Sequence, residues 1–348
     1  VAANGAAALD NGPLADAIVA AVRQGDLPGT MTNADLAAYR AKERAAVCLA
    51  AFARTICSAA PPASGGIAVL QQLALLDRLG IAQEAPGGLR AAHLFLEASR
   101  LAYADRRGHI GDPDQIAVPT AGLLDPGYLD ARARLVSREH AMKEVAAGQP
   151  PTKRSALPPS DPVAEAATTH LSIVDRDGGA ASLTTTNNLN FGSDLIVGGI
   201  PLNNAITNFA TYPIQDGVAA ANAAAPGKRP ITTMAPTIVF GTDGKPELIV
   251  GGGGGARIPD AVAQTILGVL AWGMTPRAAI EQPRIGAQNR AIELERGTAA
   301  ADLADGLRAL GHDPKILDLN AGVQAVLIRP DGLSGWGDPR RDGAAIGE

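Results

Sequence analysis

The chain has 348 residues, 46% of them hydrophobic, 19% charged and 3% aromatic, with a formal net charge of −5 and a pI near 5.6. That length allows one large domain or two ordinary ones with a real core, and the acidic balance, with no basic stripe, excludes nucleic-acid phosphate as a partner. The longest apolar runs, such as Ile266 to Trp272, fall far short of a membrane span, and a chain that begins at Val1 reads as a processed or truncated product.

Leu14, Ile18, Val19 and Val22 recur at helical spacing, which predicts a helix from Gly5 to Gln24 with Gly25 as the stop. Thr32 or Asn33 caps a second, short helix. Ala45 to Leu49 and Ala53 to Ser58 read as a hairpin. If a two-residue turn sits at Phe52-Ala53, Cys48 and Cys57 face each other, although buried free thiols are the default for two cysteines without metal spacing. Pro61 to Gly66 breaks the strand pattern. Long helices follow at Ile67 to Leu79 and Leu89 to Asp105, the second with Leu94, Leu96, Leu101 and Tyr103 as core. Gly111-Asp112-Pro113-Asp114 is a turn, Tyr128 to Val145 a charged helix, and Gly148 to Glu165 a proline-bearing loop or linker.

The second half alternates with period two. Thr169 to Asp175 and Ala181 to Thr186 make a hairpin around Asp175 to Gly179. Thr237 to Phe240 with Glu247 to Val250 makes another, and Ala325 to Ile328 with Leu333 to Trp336 a third. Gly251 to Gly255 leads into a helix over Asp260 to Trp272. Helices followed by interleaved hairpins predict an α+β fold with stacked sheets covered by helices.

Three groups of residues could carry chemistry. Gly251, Gly253 and Ala256 fit a dinucleotide fingerprint, G-x-G-x-x-A, but no second strand with an acidic end follows, so nucleotide binding is disfavoured. The same glycines serve equally as a tight turn, or as amides of Gly254 and Gly255 facing a developing negative charge. The five histidines form no i,i+4 pair and sit in no G-x-S-x-G setting, so neither a metal hydrolase nor a Ser–His–Asp enzyme has local support; His170 reads as packing or a structural hydrogen bond. Hydroxyls remain. Thr168 and Thr169 open one strand, and Thr184, Thr185 and Thr186 close its partner. A threonine at a free N-terminus can use its own amine as general base, and that amine has an ordinary pKa near 8. Plain β-sheet threonines are the competing reading.

Together these residues resemble the γ-glutamyltransferase (γ-glutamyl transpeptidase) family of N-terminal nucleophile hydrolases, over nearly the whole chain. The resemblance is carried by Thr168-Thr169-His170-Leu171-Ser172, Pro201-Leu202-Asn203-Asn204, Pro226-Gly227-Lys228-Arg229-Pro230 and Gly251 to Ile258. Pro61 to Gly66, Ala102-Tyr103-Ala104-Asp105-Arg106, Gly111-Asp112-Pro113 and Gly337-Asp338-Pro339-Arg340-Arg341 add to it. It implies a four-layer αββα sandwich of stacked antiparallel sheets, the Ntn-hydrolase fold, incomplete at the N-terminus. Self-cleavage before Thr168 would give a large part, 1–167, and a small part, 168–348, within one structural domain. Thr168 would attack a γ-glutamyl amide such as glutathione, and water or an amino-acid or peptide acceptor would take the acyl group. Thr186 matches the hydroxyl that supports the nucleophile, Gly254 and Gly255 the oxyanion pair, and Asn188 a residue that binds the glutamyl head group. Thr232 and Thr233 stand where two serines usually hold the substrate α-carboxylate. No cofactor, metal or membrane contact is implied, and the family's usual location, periplasmic or extracellular, is the expectation.

The chain departs from the family at two places. Ala205 and Asn208 replace groups that engage the donor's α-ammonium, one acidic or amide and one aspartate. A carboxylate facing an ammonium gives a charge-assisted bond of about twice the neutral strength. Its loss opens a second reading, an acylase for glutaryl or other dicarboxylic amides, as in the family's cephalosporin acylase relatives. Family precursors also carry an N-terminal part that supplies core strands and a carboxylate-binding arginine, which matches no residue here. A third reading follows from that, a truncated homologue that folds and binds without catalysis.

Overall fold

The computed structural model describes residues 5–151, 156–159, 167–288 and 291–347. The chain opens with helices α1 (Ala7–Asp10), α2 (Pro13–Val22) and α3 (Asn33–Ala38), then the hairpin β1 (Val47–Ala51) and β2 (Arg54–Ser58). Helices α4 (Ser64–Arg78), α5 (Leu89–His109), α6 (Thr120–Leu123) and α7 (Pro126–Ala133) complete the first half. The second begins with β3 (Thr169–Val174) and β4 (Ala180–Thr185), followed by two short ribbons, β5 (Ile196–Val197) with β6 (Ile200–Pro201), and β7 (Ile214–Gln215) with β8 (Val218–Ala219). Next come β9 (Thr237–Phe240), β10 (Pro246–Gly253), α8 (Ile258–Trp272), α9 (Pro276–Glu281), β11 (Ile285–Gly286) and β12 (Ile292–Glu295). The order closes with α10 (Ala304–Ala309), β13 (Pro314–Leu317), β14 (Gly322–Arg329) and β15 (Gly332–Gly337).

One six-stranded antiparallel sheet, in the order β1-β2-β9-β10-β14-β15, organises the molecule. Its strands come from both sides of residue 168. On one face Leu248, Val250, Val239, Val323 and Ala325 share a core with Leu70 and Leu73 of α4, Leu94 of α5, and Val262 and Ile266 of α8. On the other face lies the β3–β4 hairpin, packed across β10 and β14. Ser172 Oγ donates to the Gln324 carbonyl (3.0 Å) and Ser182 Oγ to that of Val250 (3.1 Å), so hydroxyls from the upper layer bond the backbone of the lower. The α+β class with stacked antiparallel sheets is the one expected. The second sheet is this hairpin, whose outer residues Leu171, Ile173 and Leu183 are 48%, 48% and 51% exposed. Among the described residues the outer helical layer is therefore not found over it. No helix among them is long and apolar enough to cross a membrane.

Local chemistry explains most boundaries. Thr32 and Asp35 form a capping box at α3. Phe52 and Ala53 both take positive φ, 51° and 56°, as a two-residue hairpin turn requires. This sets Cys48 directly opposite Cys57, and the two are disulfide-bonded. The expectation of buried free thiols is thus corrected. Cys48 is exposed and Cys57 half-buried, and a tight turn rather than a core site decides their state.

Other expectations need adjustment. The single helix over Gly5 to Gln24 is broken at Asn11-Gly12, where Gly12 has φ 87° and Pro13 restarts the helix at its first position. The charged helix over Tyr128 to Val145 stops at Ala133. Beyond it, backbone donors find tertiary acceptors instead of the carbonyl four residues back. Ala141 N–H donates to Leu310 O (2.7 Å) and Met142 N–H to Glu97 Oε2 (2.8 Å). The small sheet β11-β12-β13 was not expected, nor was its parallel pairing of β12 with β13.

Candidate active site

The β3–β4 hairpin sets the site. Thr169 pairs with Thr185 in the last register position, so Thr168 and Thr186 face each other just beyond it. Their hydroxyl oxygens are 3.1 Å apart, with Thr168 6% exposed. Thr186 Oγ1 donates to the Ala167 carbonyl (2.6 Å) and accepts from the Asn188 N–H (2.8 Å). Thr168 Oγ1 also lies in hydrogen-bond contact with the Ala167 carbonyl. The carbonyl oxygen of the peptide bond before Thr168 thus meets two hydroxyls, one of them from the residue bonded to that carbonyl carbon. A hydroxyl placed so can attack that carbon, while the other donates to the oxygen where negative charge would collect.

The glycine run makes this approach feasible. Gly251 to Gly253 belong to β10, not to a loop. A Cβ on Gly253 would lie 2.1 Å from the Thr168 carbonyl oxygen, and one on Gly251 would lie 2.3 Å from the His170 ring. Only hydrogen fits where β3 crosses β10. The turn proper is Gly254 and Gly255, with φ 136° and 63°, a region that favours glycine. Glycines in an antiparallel strand, covered by a hairpin, leave no support for the dinucleotide reading.

His170 sits under the hairpin, 5% exposed, with Nδ1 against Thr184 Oγ1 (2.8 Å) and Nε2 against Ser172 Oγ (3.0 Å). Burial lowers its pKa to about 4. Both ring nitrogens are engaged by hydroxyls of the hairpin, which fits the structural hydrogen bond expected of it.

The residues expected to bind substrate are placed less evenly. Asn188 takes φ 74°, tolerable for asparagine, and its Nδ2 donates to Thr207 Oγ1 (2.8 Å). Asn188 and Asn208 are 1% and 2% exposed, and the Oδ1 of each lacks a hydrogen-bond partner among the described residues. Buried amide oxygens without a partner suit a ligand that brings N–H donors. Ala205 opens the 3-10 turn that ends at Asn208. Thr232 is half-buried and lines a cavity of about 670 Å³ that also meets Lys42, Arg44 and Arg229. Those three cations pair with Asp114 at 2.8, 2.8 and 3.6 Å. Thr233 is different: it is 1% exposed and its hydroxyl donates to the Gly255 carbonyl (2.9 Å). Its proton faces the glycine turn.

Two contributors escaped the sequence reading. Thr207 carries no signal in the sequence. Tyr103 lay in a quoted motif but was read only as core; its hydroxyl donates to the Ala256 carbonyl.

The family described as Gamma-glutamyltranspeptidase matches residues 1–348. The glutathione hydrolase proenzyme of Bacillus subtilis (strain 168) is 35% identical over 334 residues, which cover 92% of this chain and 56% of the relative. The acylase ACY 1 proenzyme of Pseudomonas sp. (strain SE83) is 31% identical over 353 residues, 99% of this chain and 59% of the relative. Among solved structures, a cephalosporin acylase from Bacillus halodurans superposes with a TM-score of 0.82 at 25% identity, covering 97% of this chain and 59% of that one. The chain thus spans little more than half the length of these relatives.

Proposed function

This chain belongs to the gamma-glutamyltranspeptidase family, and on that premise we propose that it is an acyl transferase or hydrolase whose nucleophile is Thr168, freed by self-cleavage. The observation that carries the proposal is the pair of threonine hydroxyls on the Ala167 carbonyl, Thr186 at 2.6 Å from its oxygen and 3.1 Å from Thr168 Oγ1. In the intact chain Thr168 Oγ attacks the Ala167 carbonyl carbon, and the Thr186 hydroxyl steadies the oxyanion. The C–N bond breaks, its nitrogen takes the proton, and water hydrolyses the ester. Residues 1–167 and 168–348 result, still sharing one sheet through β2 and β9.

The freed α-amine then acts as base for Thr168 Oγ against a γ-glutamyl amide. Gly254 and Gly255 hold the oxyanion through their amides. Water or an amino-acid acceptor discharges the acyl-enzyme. Asn188 and Asn208 present their unpaired amide oxygens to the donor's α-ammonium. Thr232, beside the cation-lined cavity, takes the donor's carboxylate, and Thr233 serves the glycine turn. Membership of a family whose relatives are named proenzymes supports the cleavage step. The disulfide supports an oxidising location, periplasmic or extracellular.

A second reading, a glutaryl or cephalosporin-type acylase, is favoured by one observation. Ala205 brings no carboxylate to the ammonium, and an amide such as Asn208 also tolerates an uncharged or anionic group. Release of chromophore from a γ-glutamyl anilide and a glutaryl anilide separates the two. Preference for the first supports the transferase, preference for the second the acylase. Failure on both, with the chain left whole on a denaturing gel, leaves the non-catalytic homologue.

A further inference from the structure

Tyr103 takes no part in these steps, yet it reaches the loop on which they depend. It lies on α5, 1% exposed, and its hydroxyl donates to the Ala256 carbonyl, one residue past Gly255. Other bonds fix the same segment. Thr233 Oγ1 donates to the Gly255 carbonyl at 2.9 Å. Arg257 pairs with both carboxylate oxygens of Glu293, at 2.7 and 3.0 Å. Asp260, in the first turn of α8, accepts from Ser99 Oγ at 2.6 Å and from the Ala287 N–H at 3.0 Å. Ser99 and Tyr103 are four apart on α5, hence on one face. That face and the Thr233 loop grip the glycine turn from two sides.

Glycines cannot anchor themselves. With φ 136° and 63° and no side chains, Gly254 and Gly255 are the freest residues of the loop. An oxyanion pair must be held in advance to within about 0.5 Å. Within the turn the Gly254 carbonyl accepts from the Arg257 N–H (3.4 Å) and the Gly255 carbonyl from the Ile258 N–H; the side chains that tie this turn to the rest of the fold at the Gly255 and Ala256 carbonyls are Thr233 and Tyr103. We propose that Tyr103 is a positioning residue: its bond to the Ala256 carbonyl holds the Gly254 and Gly255 amides in place for acyl transfer. The inference rests on the reading of those amides as the oxyanion pair. Burial pushes the Tyr103 phenol well above its usual range, so it stays a donor. Self-cleavage should not need this clamp, because the Ala167 carbonyl is held by Thr186.

The test is Tyr103→Phe in the full chain, which keeps the ring and removes the bond. Loss of a whole oxyanion donor costs about 10²–10³ in kcat, so a displaced one should cost about 10- to 100-fold. KM should stay within about twofold, since the interaction is made in the transition state. The two pieces should appear on a gel at the unsubstituted rate. Amide hydrogen exchange should rise at 254–257 while α5 keeps its protection. Thr233→Val, approaching from the other side, should show the same split between kcat and KM if Tyr103→Phe fails to fold. Unchanged kcat with unchanged exchange at 254–257 overturns the proposal, and so does loss of protection throughout the core. If the unsubstituted chain cleaves neither anilide, the acyl-transfer reading fails by itself, and exchange at 254–257 still decides the clamp.

Discussion

Thr186 touches both the nucleophile candidate and the bond it would break, and its hydroxyl is the only part of it that matters there. Thr186→Val should keep the hairpin and slow self-cleavage by about 10²-fold, the cost of one oxyanion donor; Thr186→Ser should restore most of the rate. A time course on denaturing gels reads both, and an unchanged rate in the valine variant would assign the support elsewhere. Spacing places Thr168 and Thr169 opposite Thr184 to Thr186 on one hairpin, and the family resemblance singles out Thr168 and Thr186 among them. The role of Thr233 was not legible. Its partner, the Gly255 carbonyl, is 22 residues away, and a family position says nothing of where one rotatable O–H will point. The glycines read as a tight turn or as an oxyanion pair, because composition shows conformational freedom. It does not show that a second strand crosses above, as at Gly251 and Gly253.

The hairpins were the most legible elements, since alternation and turn residues act locally, and β3–β4, β9–β10 and β14–β15 all follow that pattern. Helix ends set by distant acceptors were not, as the irregular course after α7 shows. At β1–β2 the turn locked by Phe52 and Ala53 makes the disulfide a staple on the edge of the central sheet. Closing so short a loop stabilises by roughly 2–3 kcal/mol. Dithiothreitol should therefore lower the urea midpoint, with no further effect in a Cys48→Ala, Cys57→Ala chain. A similar tie joins α5 to the approach to β13: His93 Nδ1 contacts His312 Nε2 at 2.8 Å, and His93 Nε2 contacts the Ser137 carbonyl at 2.8 Å. Burial, then the neighbouring His93 and Arg100, lower the His312 pKa to about 4, with Glu97 4.0 Å from Nδ1. A histidine lowered on folding adds stability that is complete above its unfolded pKa near 6.5. That stability is lost as pH falls towards 4. Asp260, raised to about 7 by burial, works in the opposite sense over much of that range, so the raw pH profile mixes both. The stability gap between the unsubstituted chain and His312→Gln isolates the histidine. It should shrink by about 2 kcal/mol between pH 7 and pH 4.5 in urea titrations; a constant or growing gap would rule out a neutral, buried His312.

For the molecule as a whole, the decisive feature is that strands from both sides of residue 168 lie in one sheet over one core. A cut before Thr168 would remove no strand pairing, so a cleaved form would keep the architecture that positions Thr168, Thr186 and the glycine turn. The stacked-sheet class was legible from the order of helices and hairpins. The thinness of the second layer, with Leu171, Ile173 and Leu183 half exposed, was not, because a sequence pattern marks apolar faces without saying what lies on them. The most direct test of the account is the N-terminal sequence and mass of the small piece after incubation of the purified chain. A piece beginning Thr168-Thr169-His170, absent from Thr168→Ala and acylated on Thr168 by a slow γ-glutamyl or glutaryl donor, is the predicted result. A chain that stays whole, or is cut elsewhere, or is cut equally well as Thr168→Ala, would contradict it.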